Sequence, residues 1–527
     1  MLLQLNNLAE IESAERAIRE LLDGQNDWFF AQEGGAPLSL ARDEFDFAVA
    51  HRRLIFSCWT ESGSRSWHIK AWSLAGDKLT LKASRRMGAE VATLELVPRA
   101  SAKAMVAGIA AARQTRCEKL AQLVAQTLVC AVPAEDHRLK SVLPGVKIER
   151  ATLSPGMRRD QPGRYARIIL RLPRERVAVT STVALSDARN VDSLFSSALL
   201  WFQRLRHSPR RPHIEKLLLV VERNVLEAAR QRHALLRKPL GRMIELFEIN
   251  ESWEAVMSVR AFERKHLWRK RLARFPPVGA AETGQQVREI IARAPPAVDV
   301  VSSRHGQTLR YHGLPFARVR RVMERERVWF GIEGGRRRLL DDYHEPDWAK
   351  LFGDLETYRS DSCRDRKHWL YRAAGEAWLE SILRRDISKL DPGLIVAPLH
   401  AQFRTSHGGP TGARPIDLLA LRHDGRLVVI ELKVNEDREH VFQGVDYWRR
   451  VEAHRRRGHI STAKLFGERE LSDESPLVYL VAPALRFHPS FATLAQTIAA
   501  DIEIYRFDIN ENWRGGVQVV RRERVNA

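Results

Sequence analysis

The sequence predicts an α/β protein of the α+β multidomain kind, on three observations. Period-two apolar runs and three-and-four apolar spacings both recur along its 527 residues, so strands and helices are mixed throughout. One order of elements (helix, three strands, helix, strand, helix, strand) occurs twice. At roughly 100–200 residues per domain, the length accommodates about three or four domains.

Residues 1–100 form the first domain. A helix around Glu10 to Leu22 precedes the strand-like stretches LIFSCW, RSWHIKAWSL and KLTLKASRR, two of them separated by AGD, which gives an N-terminal β-rich meander. Residues 101–262 open with the helix AKAMVAGIAAARQTRCEKLAQLVAQTL. Three strands follow between Val146 and Leu185, then the helix VDSLFSSALLWFQRLR, the strand KLLLVVE, the helix NVLEAARQRHALL and the strand MIELFEI.

Residues 263–360 are charge-dense and punctuated by Pro276–Pro277 and Pro295–Pro296, as expected of a basic linker holding a small β unit. Residues 361–527 repeat the earlier order: the helix YRAAGEAWLESILRRDI, strands in LIVAPLHAQF, PIDLLAL and RLVVIELKV, the helix VFQGVDYWRRVEAHR, then PLVYLVAP, SFATLAQTIAA and IEIYRFDI. Local similarity supports a diverged duplication of 101–262 and 361–527. Glu248–Trp253 reads EINESW where Asp508–Trp513 reads DINENW, and WFQRLRH from Trp201 stands in the same helix of the order as WRRVEAH from Trp448.

The formal charge is +21, a surplus that attracts a polyanion, so nucleic acid is the first partner to consider. Cys58, Cys117, Cys130 and Cys363 lie far apart without a CxxC pair, which argues against a zinc site or a disulfide framework and for a reducing compartment. The N-terminus lacks the basic-then-apolar order of a signal peptide, and no uncharged run reaches the ~18 residues of a membrane span. A cytoplasmic protein without a membrane partner is expected.

The stretch Pro415–Lys433, PIDLLALRHDGRLVVIELK, reads as a hairpin interrupted by Asp417, Glu431 and Lys433. In RLVVIELKV both faces begin apolar, as in a buried central strand, so charges at its far end must be paired or must bind something. The turn decides where Asp417 points. A three-residue loop with Gly425 left-handed pairs Arg422 with Arg426 and sets Asp417 opposite Glu431; a two-residue Asp-Gly loop would send Asp417 to the other face. In the first register two carboxylates stand abreast with Lys433 one step along, a donor set suited to Mg²⁺ or Mn²⁺.

P-I-D followed by E-L-K resembles the signature of the PD-(D/E)XK nuclease superfamily, with PID in place of PD. Gln443 and Tyr447, one helical turn apart, are similar to the Q-x-x-x-Y helix of its RecB-like branch, and the spacing also resembles the mismatch-endonuclease-like members. Glu376 and Glu380 lie on the upstream helix where the superfamily places a metal-directed glutamate. The resemblance spans about Arg372 to Asn512 and implies a restriction-endonuclease-like αβββαβ core.

By that resemblance Asp417, Glu431 and the Leu432 backbone carbonyl hold the metal together with Glu380, which is favoured over Glu376 because it lies within the apolar run WLESIL. Lys433 orients water, and Gln443 and Tyr447 brace the site or touch phosphate. The expected activity is a Mg²⁺-dependent (or Mn²⁺-dependent) deoxyribonuclease, an endonuclease acting in DNA repair or defence. The alternative is a non-catalytic nucleic-acid-binding protein that retains the fold. A homodimer and a helicase or another repair or defence protein are compatible partners, since no GxxxxGK[ST] motif is present for ATP-driven unwinding.

Arg449, Arg450, Arg455, Arg456 and Arg457 either follow the nucleic-acid backbone or form an ordinary solvated face, and of the 13 tryptophans most are expected in the core, with some open as stacking platforms for unpaired bases. In residues 101–262, aligning Arg176 with Arg426 puts Arg167, Ser181 and Val183 at the positions of Asp417, Glu431 and Lys433. That segment is therefore expected to be a degenerate, inactive nuclease-like domain.

Overall fold

A computed structural model describes residues 2–23, 27–32, 38–42, 45–50, 53–60, 63–84, 91–98, 103–130, 145–156, 162–173, 175–184, 191–207, 213–269, 272, 275, 283–303, 306–322, 325–332, 338–403 and 415–527. It is a mixed α/β chain in two units: Met1–Ala234 with Lys238–Phe262, and Leu235–Arg237 with Glu263–Ala527.

The first unit opens with β1 (Leu3–Gln4) and α1 (Leu8–Leu22), followed by β2 (Asp27–Gln32), β3 (Leu38–Ala41), β4 (Phe45–Ala50), β5 (Arg53–Thr60), β6 (Gly63–Ala75), β7 (Lys78–Ser84) and β8 (Val91–Pro98). Asn7 caps α1 by accepting the Glu10 N–H at 2.9 Å, and Ile11, Ala14, Ile18 and Leu22 recur at helical spacing to form its buried stripe. That stripe joins Phe30, Phe56 and Trp67 from an eight-stranded sheet whose strands pair antiparallel, so the expected β-rich domain is present.

The rest of this unit is α2 (Lys103–Cys130), β9 (Lys147–Leu153), β10 (Tyr165–Arg171), β11 (Arg176–Thr182), α3 (Val191–Arg206), β12 (Lys216–Glu222), α4 (Arg223–His233), α5 (Lys238–Arg242), β13 (Ile244–Ile249) and β14 (Val256–Val259). The six strands lie in the order β14-β13-β12-β11-β10-β9. β11, β12 and β13 are parallel, and the outer pairings are antiparallel.

The second unit begins with α6 (Gln285–Arg293), β15 (Val298–Ser303), β16 (Gly306–Tyr311), β17 (Leu314–Val322), β18 (Arg325–Phe330), β19 (Arg338–Leu339) and α7 (Glu345–Tyr358). The chain here builds a five-stranded antiparallel sheet with a core of its own. Leu309, Phe316, Val319, Val328 and Phe330 pack with Trp348 and Phe352 of α7. High charge density suggested a linker, yet charged residues alternate with apolar ones along β17 and β18, so that Arg318, Arg320, Arg325 and Arg327 lie on the face opposite the buried Val319, Val328 and Phe330. Pro276–Pro277 lies outside the described residues.

The chain continues through α8 (Trp369–Arg372), α9 (Gly375–Arg385), β20 (His400–Phe403), β21 (Ile416–Leu421), β22 (Leu427–Leu432), α10 (His440–Arg455), α11 (His459–Thr462), β23 (Leu477–Pro483), α12 (Phe491–Ala495), β24 (Ile504–Ile509) and β25 (Val519–Arg524). The sheet order is β20-β21-β22-β23-β24-β25, with β22, β23 and β24 parallel and the remaining pairs antiparallel. Strand for strand, this is the order and direction of β9 to β14. Every residue of β22 and β23 is buried, as parallel strands covered on both faces require. α10 lies so close to the sheet that a Cβ on Gly444 would stand 2.5 Å from Leu480 Cδ2.

A buried arginine joins the five-stranded sheet to α9. Arg359 is fully buried and pairs with no carboxylate among the described residues. Its Nε donates to Tyr311 O at 2.8 Å, Nη1 to Leu370 O at 2.8 Å and Ala373 O at 2.7 Å, and Nη2 to His312 O at 2.7 Å and Ala374 O at 3.4 Å. The guanidinium also lies 4.7 Å from the Trp378 ring centre. Burial pulls its pKa down to about 9, still above neutrality, so the carbonyls face a cation. Ala374 takes a left-handed conformation, φ +45°, at the turn that Arg359 grips, immediately before α9.

Replacing Arg359 by Leu strands those carbonyls without donors and should lower the unfolding free energy by about 2–5 kcal/mol in urea titrations. A loss below about 1 kcal/mol would show that the guanidinium does not hold this junction.

Candidate active site

The hairpin β21–β22 takes the register that the three-residue loop demands. Arg422 N–H donates to Arg426 O at 2.9 Å, Gly425 N–H donates to Arg422 O at 3.0 Å, and Gly425 has φ +78°, a conformation that favours glycine. Leu418 therefore faces Ile430 and Leu419 faces Val429; the same register carried one step further would set Asp417 across from Glu431, whose carboxyl feels the Asp417 charge. Asp417 Oδ2 accepts the Leu432 N–H at 2.9 Å, so the carboxylate bonds to the backbone of the neighbouring strand and is fixed in direction.

Glu431 is buried, with 2 % of its surface exposed. Lys433 Nζ lies 2.6 Å from its Oε1, 3.8 Å from Glu376 Oε1 and 3.9 Å from Asp437 Oδ2. Burial first, and then the charge of Asp417, raises the Glu431 carboxyl well above the ordinary range. Lys433 is also raised despite its burial, because Glu431, Glu376, Asp417 and Asp437 all favour its cation. One ammonium thus faces four carboxylates, and the cluster as a whole lacks positive charge.

Glu431 Oε2 is buried with no hydrogen-bond partner among the described residues. An orphaned, desolvated carboxylate oxygen beside a second carboxylate fits a hard divalent cation. Asp417 and Glu431 would hold it, with the Leu432 carbonyl as the backbone donor. Among the described residues no three His, Cys, Asp or Glu side chains are gathered as a ready metal cage, so water or a phosphate oxygen would complete the coordination.

The two upstream glutamates separate. Glu376 is half-exposed and meets Lys433, whereas Glu380 is buried with Oε1 3.7 Å from Arg310 Nη1. Sequence favoured Glu380 for its apolar setting; that setting is the packing of α9 on the five-stranded sheet, and Glu376 is the glutamate gathered with Lys433. The α9 N-terminus sits tight on this strand, since a Cβ on Gly375 would stand 2.9 Å from Val434 Cγ2.

Gln443 is buried, with Nε2 3.4 Å from Glu439 Oε2. Tyr447 packs among Ile416, Leu419 and Val429, and its hydroxyl is held protonated by burial and then by the charges of Glu431 and Asp417. It is a core residue that also borders the carboxylates. Sequence reasoning missed His440, which is buried with Nε2 3.2 Å from Glu431 O and its ring stacked on Phe487. Burial and then Lys433 lower it to about 3, so it is neutral and Nε2–H donates to that carbonyl. A histidine opening α10 just after the Lys433 strand was the available signal.

The arginines of α10 do not form an open basic track. Arg449 and Arg450 pair with Asp446 at 2.7 and 3.0 Å, Arg455 and Arg456 with Glu452 at 2.7 and 2.5 Å, and Arg457 donates to Ala453 O and Trp268 O. Acids three and four residues upstream, at helical spacing, absorb the first four, and backbone carbonyls take Arg457.

In the sheet of the first unit, Arg171 pairs with Arg176 and Leu172 N–H donates to Glu175 O, so its turn is one residue shorter. Val179 faces Leu218 there as Ile430 faces Tyr479 here, each pointing into the core under the preceding helix. The expected alignment therefore slips by one residue in β11. Arg167, Thr180 and Thr182, not Arg167, Ser181 and Val183, stand where Asp417, Glu431 and Lys433 do. Arg167 pairs across the strands with Thr180 and approaches the Trp201 ring at 5.7 Å. The three positions carry no carboxylate in either alignment.

The chain matches no protein-family model, no curated protein and no solved structure. No helix among the described residues is long and apolar enough to cross a membrane.

Because its folded pKa is raised, Glu431 contributes stability below the ordinary carboxylate pKa of about 4.3 and loses that contribution as pH rises through the raised value. A divalent cation binds the ionised form and reverses the trend. In thermal-shift measurements Mg²⁺ should raise the melting temperature more near pH 8 than near pH 5, and Asp417→Asn should abolish the response. An equal Mg²⁺ response in Asp417→Asn would remove the site.

Proposed function

We propose that the chain is a metal-dependent nuclease that hydrolyses phosphodiester bonds, with DNA as its substrate in repair or defence. The observation that carries this reading is the pair Asp417 and Glu431 on adjacent strands, the second with a buried oxygen that has no hydrogen-bond partner among the described residues. The PD-(D/E)XK resemblance supports it, as does a central sheet of mixed order behind the two carboxylates and a helix ahead of them that carries Glu376.

A bound Mg²⁺ or Mn²⁺ would supply Lewis acidity toward the scissile phosphate. The other roles belong to the chain. Lys433, held protonated by four carboxylates, is a poor base; its ammonium orients the attacking water and faces the negative charge that grows on the phosphate. The half-exposed carboxylate of Glu376, 3.8 Å from Lys433, stands where it can accept a proton from that water. His440 fixes the Glu431 backbone from behind, and the protonated Tyr447 hydroxyl remains a donor beside the carboxylates.

Plasmid, single-stranded and branched DNA should be cut in Mg²⁺ or Mn²⁺. Asp417→Ala and Lys433→Ala should each slow cleavage by about a hundredfold or more, with nucleic-acid binding retained. If wild-type protein cuts none of these substrates yet binds them with a steep salt dependence, a non-catalytic nucleic-acid-binding protein is the correct reading.

A further inference from the structure

The five-stranded sheet turns one face to its core. Leu309, Val319, Val328 and Phe330 point inward, so the period of two puts Arg320, Arg327 and Trp329 on the opposite face of β17 and β18. Register sets Arg320 directly across from Arg327, both exposed, and the Arg320 guanidinium lies 5.9 Å from the ring centre of the half-buried Trp329.

Two like charges directly opposite on neighbouring strands destabilise a sheet. Among the described residues no carboxylate lies within ion-pair distance of either guanidinium, so none of them offsets the cost. An anion would offset it. The ring beside them offers a flat apolar surface, and cations next to an aromatic platform are what a nucleic-acid strand engages through phosphate and base together.

The same face continues toward the candidate active site. Arg310, between the inward-pointing Leu309 and Tyr311 on β16, lies 3.7 Å from Glu380 of α9, one helical turn past Glu376, which itself lies 3.8 Å from Lys433. A strand lying across β18, β17 and β16 would therefore reach the helix that borders the carboxylates.

We propose that this sheet face binds a single strand of nucleic acid, with phosphates on Arg320 and Arg327 and an unpaired base on Trp329, and leads it to the Asp417–Glu431–Lys433 cluster. The destination rests on the nuclease reading; the binding does not. A single strand is specified because a ring on a sheet face can stack only on a base that has left its duplex.

The experiment is fluorescence anisotropy with labelled oligo-dT and full-length protein, without divalent metal, over a salt series. Arg320→Ala with Arg327→Ala should weaken binding and flatten the log–log salt slope by roughly 1 to 2, about 0.7 for each phosphate that is no longer neutralised. Trp329→Ala should weaken binding about tenfold, and Trp329→Phe should restore most of it. The arginine variant should melt at or above the wild-type temperature, since both side chains are exposed and their removal relieves like-charge repulsion; if Trp329→Ala melts early, the arginine variant decides.

Unchanged affinity and slope in the arginine variant overturn the proposal. So does competition by duplex DNA or poly-glutamate as strong as that by unlabelled oligo-dT. If wild type cuts no nucleic acid but the arginine variant loses strand binding, the nuclease reading fails and this surface stands. If wild type cuts a single strand while both variants bind it as wild type does, the surface fails and the nuclease reading stands.

Discussion

Everything at the candidate site depends on a carboxylate and an ammonium 2.6 Å apart at the end of a strand that is otherwise apolar and buried. Removing two charges from water costs several kcal/mol each, and their mutual attraction offsets this only when the remaining polar atoms are satisfied. Here they are not, because Glu431 Oε2 has no donor among the described residues and Asp417 adds like charge from the adjacent strand. Isolated, the arrangement is poor for stability. With a divalent cation between the carboxylates it becomes balanced, so the local instability and the proposed activity have one physical origin.

Much of this was legible in the sequence because it follows from period and turn chemistry. His-Asp-Gly before Arg426 admits a three-residue loop, and that loop alone sets Asp417 across from Glu431; the left-handed Gly425 and the Leu418–Ile430 pairing realise it. The order of elements was readable for the same reason, since β22 and β23 are continuous apolar runs between amphipathic helices. Less legible were features made by distant partners. Nothing local marks Arg359 as the donor to carbonyls on two separate segments, or separates Glu376 from Glu380, whose fates differ only because Arg310 arrives from another sheet. The charge-dense stretch of residues 263–360 resembled a linker because its arginines alternate with core residues, a pattern that composition alone conceals. A turn one residue shorter before Arg176 was enough to shift the alignment of β11.

The two six-stranded sheets show how little of a fold's chemistry resides in its topology. Order and direction agree from β9 to β14 and from β20 to β25, yet Arg167, Thr180 and Thr182 occupy the positions of Asp417, Glu431 and Lys433. Thr180 satisfies its hydroxyl on the Ala166 carbonyl at 2.8 Å, so the first sheet carries no buried carboxylate at this place. At these positions the second sheet alone carries the carboxylates that a cation site would require.

The central claim is that a divalent cation completes the Asp417–Glu431 pair. Crystals grown with Mn²⁺ and measured at the manganese absorption edge test it most directly. The account predicts an anomalous peak about 2.1–2.2 Å from a carboxylate oxygen of each residue, with Glu431 Oε2 among the ligands. A fully occupied Mn²⁺ elsewhere on the chain with no peak between these two carboxylates, or Lys433 Nζ bridging them in its place, would contradict it.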